Sequence, residues 1–248
     1  MGGPHPFPLQ ASHDEARRAK LAGPHVIITA TPPDAFLFDL DGTLVDSERA
    51  NIESVVLAVR RYGKEVTDDE RSFIVGHSWN EIHALLARNH GLAVDMETLI
   101  AQAVDEKRAI VAVTGLRTLP GVPAVVERLG RASKLAVVTG ASTAEARDAL
   151  AGAGLTGFFP VVVAAEDYKS GKPSPEPYLQ AIQRLGVGAH RSIAIEDATP
   201  GILSARAAGA RVIAVRAGNF AGHDLSAADV VVDTLDDVTD ELVARLLA

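Results

Sequence analysis

The sequence contains no cysteine, so disulfide staples, thiolate nucleophiles and cysteine metal sites are excluded. It has no apolar run long enough to cross a bilayer, and its first residues lack the apolar stretch of a secretory signal, so the cytoplasm is the expected location. Positive charge is scarce. With 24 Lys and Arg against 32 Asp and Glu the formal charge is −8, which argues against a nucleic-acid partner, because a phosphate backbone calls for a basic surface. Internal repeats are absent, and no low-complexity tract lies beyond the N-terminal tail. What is present is a chain of 248 residues, 47% hydrophobic and 23% charged, ordinary values for a globular protein. That length fits one large α/β domain or a core with a small inserted one, and the second is expected.

The stretch that organises the chain runs from Ala35 to Ser47 and reads AFLFDLDGTLVDS. An unbroken apolar run with aromatics, stopped by Asp and Gly, fits a parallel-sheet strand buried on both faces. Its carboxyl end is where open α/β sheets place ligands. Side chains alternate along extended backbone, so Asp39 and Asp41 are expected to point the same way while Leu40 turns to the core. Two like charges in one site call for a neutralising cation or a retained proton, and both suit phosphoryl transfer.

Residues 1–33 carry six of the 13 prolines and three of the eight histidines and read as a tail, with one helical piece from His13 to Leu21. The spacing of His5, His13 and His25 fits no compact ligand set. From Ser47 the pattern is helical for about seventy residues. Thr67-Asp-Asp-Glu70 and Ser78-Trp-Asn-Glu81 match capping boxes, and a last helix runs from Asp95 to Val113. From Thr118 a strand–helix rhythm resumes. Strands are expected at Lys134 to Thr139, Val161 to Ala165, Ser192 to Ile195, Arg211 to Val215 and Asp229 to Val232. Helices are expected after Pro120-Gly121, after Ser142, from Pro175 to Leu185, with Pro200 at a first helical position, and from Asp236 to Leu247. Such alternation implies a Rossmann-like, doubly wound parallel sheet with right-handed crossovers. The expected division is a tail at 1–33, an α/β core at 34–46 and 116–248, and a helical block inserted at 47–115.

Asp39-Leu-Asp-Gly-Thr-Leu-Val-Asp46 resembles the first motif of the haloacid dehalogenase (HAD) superfamily in its phosphatase form. Three further motifs follow in that family's order: Val137-Val-Thr139-Gly140, Lys172 within Gly171-Lys-Pro-Ser-Pro-Glu-Pro-Tyr178, and Ile195-Glu196-Asp197. The likeness spans about residues 34–233, and the helical block is similar to the family's first class of cap.

The resemblance implies that Asp39 attacks phosphorus to give an aspartyl-phosphate, while Asp41 protonates the leaving alkoxide and later deprotonates the attacking water. Mg²⁺ is the implied cofactor, held by Asp39, the Asp41 carbonyl and Asp197, with Glu196 binding it or orienting a water. Lys172 would offset the charge of Asp39 and phosphate, although a Gly-Lys-Pro lysine also reads as a solvated turn residue. Thr139, with the Gly140 amide, would hold a phosphate oxygen or act only as a helix cap. Glu196-Asp197 also reads as a helix-start pair. His77, Trp79 and Asn80 are specificity candidates at the cap face. Trp79 reads equally as an apolar anchor of its helix, and His77 as a solvent-facing loop residue.

Asp41 argues against a dehalogenase, since that branch lacks the second aspartate. Members similar to β-phosphoglucomutase carry a His after the first motif and an Arg in the cap loop, where this chain has Asn51 and Trp79. No lysine stands in that loop for Schiff-base hydrolysis of a phosphonate. The expectation is a Mg²⁺-dependent phosphomonoesterase of small sugar or polyol phosphates. A sugar-phosphate mutase and a non-catalytic phosphometabolite-binding protein are the alternatives. The expected partner is a small phosphorylated metabolite, with no nucleic acid and no membrane, and the chain is expected as a monomer or weak dimer.

Overall fold

The computed structural model describes residues 31–75, 77 and 79–248. The expected tail, apart from its last three residues, lies outside the described residues, and so does Ser78 of the second capping box. Six strands form one parallel sheet: β1 (Ala35–Phe38), β2 (Lys134–Val138), β3 (Val161–Val163), β4 (Ser192–Glu196), β5 (Arg211–Val215) and β6 (Val230–Val232). Their spatial order is β3-β2-β1-β4-β5-β6. β1 lies at the centre, with Phe36 in register with Leu135 on one side and Ile193 on the other. That is the doubly wound arrangement, in which the chain reverses its direction of travel across the sheet beside β1.

The period-two alternation sorts the sheet into two unlike faces. Phe36, Phe38, Leu135, Val137, Ile193, Ile195, Ile213 and Val215 share one core with α5 (Val122–Gly130), α6 (Thr143–Gly152) and α9 (Asp240–Leu247). Ala35, Leu37, Ala136, Ala194 and Ala214 share the other with α7 (Glu176–Leu185) and α8 (Thr199–Ala207). Bulky residues fill the first face. Small ones on the second leave room for Tyr178 of α7, which is 0% exposed. Burying a side chain such as Phe36 contributes about 1.5–3 kcal/mol over leaving it in water.

Between β1 and α5 come four helices, α1 (Ser47–Arg60), α2 (Asp68–Ile74), α3 (Trp79–His90) and α4 (Met96–Thr114). They bury an apolar cluster of their own, including Val55, Val59, Ile82, Leu86 and Leu99. Thr67 and Glu70 form the expected capping box at the start of α2. Glu70 is 5% exposed and also accepts from Asn89 Nδ2 at 2.8 Å and pairs with His90 Nε2 at 2.9 Å, tying α2 to α3. The chain leaves and re-enters the sheet side by side. Asp46 N–H donates to Arg117 O at 2.9 Å, Leu119 N–H to Leu44 O at 3.2 Å, and Val45 bridges Thr118 antiparallel.

Some element ends differ from expectation. β3 stops at Val163, because Ala165–Asp167 forms a 3₁₀ turn closed by the Asp167 carboxylate on Ala164 N–H. Pro200 is the second residue of α8, not the first, a position equally free of an intrahelical N–H partner. The last helix begins at Asp240 rather than Asp236. Thr239 caps it by accepting from Leu242 N–H, while Leu235–Asp237 forms a separate 3₁₀ turn.

Candidate active site

The strands that flank β1 end beside it, and their last residues carry the polar side chains. Asp39 follows β1 with its N–H bonded to Ile195 O at 3.0 Å, Thr139 follows β2 with its N–H on Val163 O at 2.9 Å, and Glu196 closes β4 with Asp197 next. Lys172, from the loop before α7, reaches all three strand ends. Its ammonium lies 2.5 Å from Asp39 Oδ1, 2.7 Å from Glu196 Oε1 and 3.0 Å from Val138 O. Three acceptors use the three ammonium donors. Carboxylate oxygens of Asp39, Glu196 and Asp197 lie within 4.8 Å of one another.

Two close backbone contacts shape the floor. Gly42, at φ 81°, has room for no side chain, because a Cβ there would stand 2.2 Å from Asp197 Oδ2. A Cβ at Gly218 would stand 1.6 Å from Gly42 O, so the turn after β1 and the loop after β5 touch backbone to backbone. Thr43 Oγ1 donates to Asp197 Oδ1 at 3.5 Å from the same turn.

Charge is concentrated. The cavity of about 300 Å³ bounded by these groups is lined by five carboxylates, Asp39, Asp41, Glu48, Glu196 and Asp197, and by Lys172. Burial first, then repulsion from Glu196 and Asp41 against the pull of Lys172, pushes Asp39 up to about 7. Burial and repulsion from Asp39 and Glu196 push Asp197 up to about 9. Lys172 is raised despite its burial, because Asp39 and Glu196 outweigh desolvation, so it stays charged. Tyr178 donates to Glu196 Oε1 at 2.6 Å, and burial and that carboxylate raise its phenol well above the ordinary value. Hard oxygen donors with excess negative charge are the donor set that Mg²⁺ takes, and the residues present fit that ion.

Asp39, Asp41, Thr139, Gly140, Lys172, Glu196 and Asp197 thus line one cavity. Thr139 Oγ1 accepts from Ala141 N–H at 3.1 Å, and its own proton is uncommitted among the described residues. The three cap residues separate from this group. His77 and Trp79 line a second cavity, also about 300 Å³, with Glu48, Asn51, Ser54 and Lys107. Asn80 is exposed and lines neither cavity. His77 is exposed, between α2 and α3, and its ring stacks on Phe73 with ring centroids 3.7 Å apart. Glu48 lines both cavities, and burial together with repulsion from Asp41 raises its carboxyl.

The sequence reading passed over Glu48, Thr43, Tyr178, Gly218 and His223. Three carried a positional signal: Thr43 lies inside the first motif, Glu48 two residues beyond it, and Tyr178 closes the Lys172 motif. Gly218 and His223 meet the site across long stretches of chain.

A family model for haloacid dehalogenase-like hydrolases matches residues 36–215. The chain belongs to that family, and within it is an enzyme of the phosphatase kind. It is 36% identical over 209 residues to hexitol phosphatase A of Escherichia coli (strain K12), covering 82% of this chain and 92% of that protein. It is 32% identical to fructose-1-phosphate phosphatase YqaB of the same organism, over 73% of this chain and 95% of that one. Among solved structures, a Thermotoga maritima protein provisionally assigned as a β-phosphoglucomutase superposes with TM-score 0.73 at 28% identity, covering 84% and 98% of the two chains.

Proposed function

We propose that the enzyme hydrolyses small sugar or polyol phosphates to the free alcohol and inorganic phosphate through an aspartyl-phosphate on Asp39, with Mg²⁺ as cofactor. The observation that carries this reading is the convergence of Asp39, Lys172, Glu196 and Asp197 at the end of the central strand. Asp39 attacks phosphorus, the bond to the alcohol oxygen breaks, and Asp41 supplies the proton that this oxygen takes up. Asp41 then receives a proton from the water that cleaves the acyl phosphate, which restores Asp39. Lys172 holds Asp39 in position and offsets charge on the transferred group, while Thr139 and the Gly140 amide hold a phosphoryl oxygen. Mg²⁺ would be held by Asp39, the Asp41 carbonyl and Asp197, and would neutralise charge on the phosphoryl oxygens. Glu196, already engaged by Lys172 and Tyr178, serves to orient that set.

Two adjoining cavities of about 300 Å³ each that share Glu48 suit a small substrate, phosphoryl end in one and hydroxylated body toward the other. Relatives named for hexitol phosphate and fructose 1-phosphate support a hydroxyl-rich leaving group. The test is phosphate release across sugar, polyol and aryl phosphates with and without Mg²⁺. Asp39→Asn should abolish it, and release that survives that change would defeat the nucleophile assignment.

A mutase remains the second reading, favoured by the Thermotoga structure and by Lys107, a cation in the second cavity able to meet a second phosphate. Mass analysis separates the two: a hydrolase yields inorganic phosphate, a mutase an isomer of its substrate.

A further inference from the structure

The catalytic cavity is graded from floor to rim. Asp39, Thr139, Glu196 and Asp197 are at most 8% exposed, whereas Asp41, Gly140, Pro200, Ala221 and His223 on the same wall are exposed. A phosphoryl group bound against the floor therefore sends its alcohol past the rim. The rim residues include a histidine on the loop that follows β5, and the loop is fixed at both ends. Gly218 rests on the Gly42 backbone, and Thr199 Oγ1 donates to Asp224 O at 2.8 Å. Between them Asn219 closes a ring onto His223, its Oδ1 accepting from His223 N–H at 2.7 Å and its Nδ2 donating to His223 O at 2.8 Å. The two end anchors, Gly42 and Thr199, lie within two positions of Asp41 and Asp197. The position of His223 is thus built into the same turns that carry Asp41 and Asp197.

From this geometry we infer that His223 is a specificity-determining residue that hydrogen-bonds a hydroxyl of the leaving alcohol. The inference rests on the phosphatase reading above. An imidazole offers both a donor and an acceptor, matching a hydroxyl in either direction. Of the exposed rim side chains, Pro200 and Ala221 offer no hydrogen bond and Asp41 adds negative charge, whereas His223 can hydrogen-bond without adding negative charge.

The test uses the full chain with Mg²⁺ and two classes of ester: hexitol and hexose phosphates, rich in hydroxyls, and p-nitrophenyl phosphate, which has none. His223→Ala should raise KM for the hydroxylated esters about 3- to 10-fold, the loss expected for one neutral hydrogen bond, with kcat little changed. Kinetics on p-nitrophenyl phosphate should stay as in the wild type. His223→Gln, which keeps a donor of similar reach, should restore part of the lost affinity. Unchanged KM on every ester would overturn the assignment, and so would an equal loss on both classes, which would place the imidazole at the phosphoryl group. Absence of phosphate release from the wild type, or release indifferent to Asp39→Asn, would defeat the phosphatase reading itself, a result distinct from a silent His223→Ala.

Discussion

At the scale of single residues the site is a balance of like charges around one ammonium. Asp39→Asn keeps the shape and removes the nucleophile, so turnover should fall by about 10³-fold or more with folding retained, measured by phosphate release and circular dichroism. The raised carboxyls also set a pH dependence. Asp39 and Asp197, near 7 and 9 when folded against 3.8 for an ordinary Asp, bind protons more tightly folded than unfolded. Their contribution is therefore full below pH 3.8 and is lost as pH rises through about 7 and 9. Chelator-treated protein should lose stability from mildly acid to alkaline pH, and Asp197→Asn should flatten that slope. Because a divalent cation favours the ionised forms, Mg²⁺ should raise the melting temperature more at about pH 8 than at about pH 5. A rise equal at both, or none, would contradict the metal assignment.

At the scale of elements, what holds a helix or loop in place is often a partner far away in sequence. Glu70 is the case in the helical block. Burial alone would raise it, but Thr67 N–H, the Asn89 amide, His90 and the Thr67 hydroxyl outweigh burial and lower it to about 2. Its contribution is full above the ordinary 4.5 and disappears as pH falls toward about 2. Glu70→Ala should cost about 1–3 kcal/mol in denaturant unfolding, since it orphans three donors as well as a cap. The loop after β5 makes the sharper claim: Gly218→Ala puts a methyl against backbone that has no rotamer to yield, and should cost about 1–3 kcal/mol or displace the loop. Contiguous patterns were legible in the sequence for a physical reason. The apolar run into Asp39, the Thr67 capping box and the Glu196-Asp197 step each act within a few residues. The start of the last helix was not, because one run of cap-forming residues holds two caps, Asp237 closing a 3₁₀ turn on Thr234 N–H and Thr239 the helix that follows. Nor was the Tyr178 bond to Glu196, which needs α7 laid against the small-residue face of the sheet.

At the scale of the whole molecule, the order β3-β2-β1-β4-β5-β6 gathers residues 39, 139, 172 and 197 because β1 is flanked by β2 and β4. Topology does what sequence distance hides. The same order predicts that damage to the centre is felt everywhere: Phe36→Ala should cost about 3–5 kcal/mol by denaturant unfolding and lower activity along with it. Asn80 marks the limit of reasoning by motif, since a helix-start pattern does not say which side chain of the first turn faces inward, and Asn80 in α3 is exposed. The paired exit and return of the chain at Asp46 and Arg117 carries a consequence beyond stability. A segment whose two ends are stitched together at one point on a scaffold can be lengthened, shortened or replaced wholesale while the scaffold keeps its alignment. Such a segment is free to change while the strand ends that carry Asp39, Thr139 and Glu196 keep their places.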